Sequence, residues 1–165
     1  MSIAEGFLME LEQEAKTTRR LLERVPEDKL AWRPHHKSMS LGQLALHLAQ
    51  TPGGVAQLAK SSPDQLPQFQ QAEAHTSKEL LDALDASVAA AKAALGGWDD
   101  ATMMETWSMT NNGKVVMSMP RAALIRAIML NHWYHHRGQL TVYLRLLDVA
   151  LPPVYGPTAD DNPFR

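Results

Sequence analysis

Apolar residues recur at three- and four-residue steps along most of this chain, which is the period of helices with one buried face. Ile3, Phe7, Leu8, Leu11, Ala15, Leu21 and Leu22 form the first such stripe and predict a helix over residues 3–24, closed by Pro26. A broken stretch follows from Pro26 to Met39, where Trp32-Arg33-Pro34-His35-His36-Lys37 reads as loop because the residue before a proline is driven to extended geometry. Ser40 and Gln43 have capping-box spacing and predict the start of a second helix with Leu41, Leu44, Ala45 and Leu48 as its stripe. Pro52-Gly53-Gly54 is expected to kink or end it, with Val55 to Lys60 adding a turn or two. Ser61 to His75, with Pro63, Pro67 and four glutamines, reads as a long loop. Thr76 and Glu79 repeat the capping-box spacing, and the third helix runs through Leu80, Leu84, Val88 and Ala91 to Leu95, stopped by Gly96-Gly97.

Residues 98–119 carry no clear period. Asn111-Asn112-Gly113 is a turn signal compatible with a short hairpin, while Met103 to Trp107 also suits a coil. Pro120 opens a fourth helix that reaches about Leu147, where Pro152-Pro153 prevents continuation and Val154 to Arg165 is a tail. No segment approaches the ~18 apolar residues of a membrane span, and no strand is assigned with certainty. The reading is an all-α single domain over residues 1–165, a four-helix bundle with an irregular segment before its last helix. The ~15-residue connection between helices two and three can cross the bundle's length, which favours an up-down-down-up order.

Composition narrows the chemistry. The 165 residues are 45% hydrophobic and 21% charged, close to the average for a globular chain. Cysteine is absent, so disulfides, thiolate metal sites and a cysteine nucleophile are excluded, and any metal must use His, Asp or Glu. The net charge of −2 and the dispersed arginines of helix four argue against a nucleic-acid surface. The N-terminal 25 residues carry five glutamates, a lysine and three arginines, unlike a signal peptide, and the expected location is cytoplasmic.

The segment Asn131-His132-Trp133-Tyr134-His135-His136-Arg137-Gly138-Gln139 holds the distinctive chemistry. On a wheel at 100° per residue, His132 and His136 fall in the middle of the stripe of Ile125, Ile128, Met129, Leu140, Tyr143 and Leu147, about 40° apart. Such an i, i+4 pair can hold one metal ion. Alternatively, the two imidazoles are core residues bonded to neighbours, since each needs a partner when buried. His135 falls at the stripe's edge, and His35, His36 and His75 lie in loops. A third ligand would come from another helix, and His47 is the one histidine inside helix two or three. Three histidines and an open position are the arrangement of catalytic zinc, and imidazole also suits nickel or iron. A zincin is excluded because Trp133 follows the first His where a Glu is required. A carboxylate di-iron bundle is excluded for want of Glu-x-x-His pairs.

Residues 132–146, HWYHHRGQLTVYLRL, with Pro152-Pro153-Val154-Tyr155-Gly156, resemble the closing signature of the DinB family, the DinB/YfiT-like metalloenzymes of bacteria. Trp32-Arg33-Pro34, Ser40-Leu41-Gly42-Gln43-Leu44 and His47 resemble that family's second-helix motif. The resemblance implies an up-down-down-up bundle, a metal site at His47, His132 and His136, and a homodimer. It implies a divalent ion, zinc or nickel first and iron or manganese next. It also implies hydrolase or thiol-transferase chemistry on a small thiol or other small molecule, with a non-catalytic, stress-related metal-binding protein as the alternative. Trp133 stands where many relatives carry a Glu or another polar residue, which removes one acid or base. No catalytic residue is assigned. Glu105, Asn111, Asn112 and Tyr155 lie in segments that could cap the site, and Asn131, Arg137 and Gln139 could orient ligands, though Arg137 sits ~120° from the stripe and suits a solvated face.

Overall fold

A computed structural model describes residues 1–66, 71–162 and Phe164. The helices are α1 (Ile3–Leu22), α2 (Leu41–Leu58), α3 (Ser77–Leu95) and the short α4 (Asp100–Met104). A hairpin of β1 (Thr106–Asn111) and β2 (Lys114–Pro120) follows, and then α5 (Arg121–Leu124), a π-helical stretch Ile125–Asn131 and α6 (His132–Leu146) form one rod. The chain is therefore mostly helical but not all-α. The irregular segment is a helical turn and an antiparallel two-stranded sheet, with a register shift between Met109 and Thr110. Asn112 and Gly113 both take positive φ, 50° and 76°, the geometry that lets a two-residue turn follow the twist of its strands. What period alone could not decide is settled by Trp107. Its indole is fully buried and its Nε1–H donates to the carbonyls of Leu58 and Ser61, pinning the hairpin to the end of α2.

The helix starts follow from local chemistry. Ser2 with Glu5 and Ser40 with Gln43 make reciprocal capping boxes. At α2 the loop before it completes the cap. Leu41 N–H donates to Trp32 O and Gly42 N–H to Leu30 O, both at 2.8 Å, so the helix's first amides are all paired. The Trp32-Arg33-Pro34 segment thus anchors the start of the helix that carries His47.

Pro52 does not end α2. It lies inside a helix that continues to Leu58. Gly53 explains how α2 can lie close on α3, because a Cβ there would sit 2.8 Å from Ser87 O and 2.9 Å from Ser87 Cα. Gly53 N–H donates to Ser87 Oγ across the same contact. Further along, Gly42 meets Ala74 O at 3.1 Å on the same measure. The contacts of α1 with α3 include the ion pairs Lys92 to Glu12 and Arg19 to Asp85. The long connection expected over 61–75 lies between α2 and α3, and its residues 67–70 are outside the described ones. The core between the long helices is leucine-rich, with Leu11, Leu21, Leu44, Leu48, Leu80, Leu84, Leu95, Leu140 and Leu144 buried.

The C-terminal segment is tied down rather than free. Asp160 pairs with Arg145 and accepts Leu151 N–H, and Tyr155 reaches Arg137 and Glu14. No helix among the described residues is long and apolar enough to cross a membrane.

Gly53→Ala should destabilise the protein by about 1–3 kcal/mol in urea unfolding, because a backbone contact cannot give way as a flexible side chain can. A gain of stability from alanine's better helix propensity would show that α2 and α3 can separate at no cost.

Candidate metal centre

The seam between α2 and α6 brings the three histidines together. His132 Nε2 lies 3.1 Å from His47 Nε2 and 3.1 Å from His136 Nε2. The donor atoms of all three lie within 4.8 Å of one another. The rings stand nearly perpendicular, at 86° to 89°, so each points a nitrogen edge inward instead of stacking. His35, His36, His75 and His135 are not in the cluster.

A ring nitrogen has one in-plane position for a proton or an acceptor, yet His132 Nε2 faces two other ring nitrogens. One proton can serve one of those pairs and not both. A single cation bonded to all three satisfies them together. Four-coordinate zinc with bonds near 2.0–2.1 Å places its nitrogens about 3.3 Å apart, and the two separations of 3.1 Å at His132 are close to that.

The surroundings keep the imidazoles neutral, which is the form that ligates. Burial lowers the pKa of His47 and His132 below the ordinary value, and the neighbouring histidines lower them further. His136 is the most buried and is pushed down to about 4, chiefly by burial. Gln139 Oε1 lies 2.7 Å from His136 Nδ1, so that nitrogen carries the proton and Nε2 turns its lone pair to the cluster. Gln139 thus has the orienting role expected of it, whereas Asn131 is solvent-exposed. His47 and His132 are partly exposed, so the cluster's outer side meets solvent.

Arg137 is not on a solvated face. It is 1% exposed, lies 2.5 Å from Glu14 Oε2, and stacks over the rings of Tyr134 and Tyr155. The π-helical stretch before it accounts for the difference. An i→i+5 turn carries an extra residue, so a uniform 100° wheel drawn from Ile125 to Leu147 loses phase across residues 125–131. Trp133, marked by the sequence only as a departure, is likewise fully buried, and its indole donates to Leu48 O. Of the proposed capping groups, Glu105 pairs with Arg121 and Tyr155 bonds Arg137 and Glu14, on the α1 side of α6. Asn111 and Asn112 close the hairpin.

Comparison with known proteins agrees with the motifs. The DinB family's sequence profile matches residues 1–162. The chain belongs to the DinB family. It is 27% identical over 159 residues to YrdA of Bacillus subtilis, covering 94% of this chain and 89% of that protein. A DinB-like protein from Bacillus cereus superposes with a TM-score of 0.75 at 22% identity, over 92% of this chain and 97% of the other. DinB-like YjoA from Bacillus subtilis does so with 0.69 at 18%, over 91% and 97%. This DinB fold therefore spans almost the whole chain.

Two outcomes follow. Because the folded pKa of His136 lies below the unfolded value of 6.5, its neutral form stabilises the metal-free fold above pH 6.5, and that contribution drains away as pH falls toward about 4. Wild type should lose more urea stability over that range than His136→Ala; equal slopes would contradict the burial of this ring. Glu14→Gln should cost about 3–5 kcal/mol by thermal or urea unfolding, since it leaves a buried guanidinium unpaired.

Proposed function

We propose that this DinB-family chain binds one divalent metal ion through His47, His132 and His136 and uses it on a small-molecule substrate, as a hydrolase or a low-molecular-weight-thiol transferase. The observation that carries this reading is the convergence of three neutral ring nitrogens on one point with only one proton's worth of mutual bonding available. Zinc or nickel suits three imidazoles best, with iron or manganese next. Bound there, such an ion supplies Lewis acidity toward water or a thiol.

The chain's own residues do the rest. Burial holds the rings deprotonated, Gln139 fixes the tautomer of His136, and the partly exposed rings of His47 and His132 leave the outer side open to a substrate. The absence of cysteine means that a reacting thiol comes from solution. The framework in this reading is an up-down-down-up four-helix bundle. Supporting it, α2 and α3 meet at Gly42–Ala74 and again at Gly53–Ser87, in step along the sequence. The other pairs, Glu12–Lys92 with Arg19–Asp85 and Leu48–Trp133 with Met39–Tyr143, run in opposite senses. A metal-carrying protein without turnover is the second reading, favoured by the engagement elsewhere of Glu105 and Tyr155.

Elemental analysis of untagged protein should give close to one divalent ion per chain. His47→Ala, His132→Ala and His136→Ala should each weaken zinc binding by more than about 100-fold, beyond the range of outer-sphere changes. Unchanged binding in all three would refute the site. Incubation with thiols and electrophiles then separates the readings, with metal-dependent product supporting the enzyme and metal retention without product supporting the carrier.

A further inference from the structure

Leu48 O is the carbonyl that residue 52 would normally bond in a continuous helix, but residue 52 is proline and has no amide hydrogen. The carbonyl left free accepts the indole Nε1–H of Trp133 at 2.9 Å, inside the core. Leu48 follows His47, and Trp133 follows His132. Among the described residues, the one side-chain bond between these two helices beside the cluster therefore joins the residues next to two of its members, across 85 positions of sequence.

We propose that Trp133 is a positioning residue for the histidine cluster, acting through the Leu48 carbonyl that Pro52 leaves free. The inference rests on the metal-binding reading above and adds what fixes the distance between the ligand-bearing helices. The π-helical stretch Ile125–Asn131 ends immediately before His132, so the rotation of α6 is not inherited from a regular helix and has to be set by contacts. The tolerance is small. A 10° turn about the helix axis moves a side-chain atom about 5–6 Å from that axis by about 1 Å. Metal–ligand distances allow about 0.2 Å. A hydrogen bond one residue from each ligand removes that freedom. It also explains how a proline is tolerated where it breaks the helical ladder without ending the helix, as the freed carbonyl has a partner.

Cobalt(II) titration of the full chain tests this, with affinity read by competition and coordination geometry by the visible absorption bands. Trp133→Phe keeps an aromatic ring and loses the donor. Its cobalt affinity should fall about tenfold or more, with shifted bands. Pro52→Ala restores an amide that competes for Leu48 O. It should weaken cobalt binding without lowering the melting temperature, a split that a merely structural role would not produce. Leu95→Ala, a buried change on α3, which carries none of the three histidines, should lose stability and keep wild-type affinity and spectrum. If Trp133→Phe does not fold, Pro52→Ala decides the question alone. Variants that match a cobalt-binding wild type in affinity and spectrum overturn the positioning role only, whereas a wild type that binds no cobalt overturns the metal reading with it.

Discussion

A third imidazole nitrogen brought within hydrogen-bonding range of two others cannot be satisfied by sharing protons, and this surplus of lone pairs at the α2–α6 seam governs the molecule's chemistry. Burying polar rings is costly unless each finds a partner. Here the cost is arranged instead of avoided. The rings are neutral, perpendicular and partly shielded, and Gln139 holds one of them in the tautomer that faces inward. Such a cluster could hold a cation, and in the reading proposed above the Trp133–Leu48 bond beside it keeps its geometry.

The departures from ideal helix gather near that seam. Pro52 interrupts the ladder of α2, Gly53 permits backbone contact with α3, and a π-helical stretch leads into α6. Elsewhere α1 and α2 begin with ordinary capping boxes, and the long helices bury ordinary leucines. Irregular backbone persists only where tertiary contacts absorb its cost, and functional sites are where such costs concentrate. Each of these departures has a visible partner: the indole of Trp133 for Pro52, Ser87 for Gly53, and the histidine cluster for the π-helical stretch.

A second polar centre lies on another face of the same helix. Arg137, Glu14, Tyr155 and Tyr134 connect α6 to α1 and to the C-terminal segment. The Tyr155 phenol is pushed up to about 12, mainly by burial, so it keeps its proton and donates to Glu14. Successive residues on a helix point about 100° apart. The cluster histidines His132 and His136 and the anchors Trp133 and Arg137 are thus interleaved with one spacing, the first pair turned to the cluster and the second to the helices on either side of it.

Much of this was legible in the residues. The leucine stripes gave the four long helical segments, the Ser40–Gln43 pair gave the start of α2, and the motifs around His47 and His132 gave the family and the three histidines. Those signals are local or set by helical period, and so survive without coordinates. The turn signal at Asn111–Gly113 is compatible with a hairpin, but period does not decide its strands, because they are short and held by one buried tryptophan against distant carbonyls. Pro52 read as a kink or an end because the partner for its freed carbonyl lies 85 residues away. Arg137 read as exposed because a π-helical stretch shifts the phase that a uniform wheel assumes. The amino acids alone determined which side chains could ligate and which helices would carry them. Only the tertiary fold decided how α6 is turned and how close α2 comes, since rotation and separation are set by contacts between residues that no short-range pattern connects.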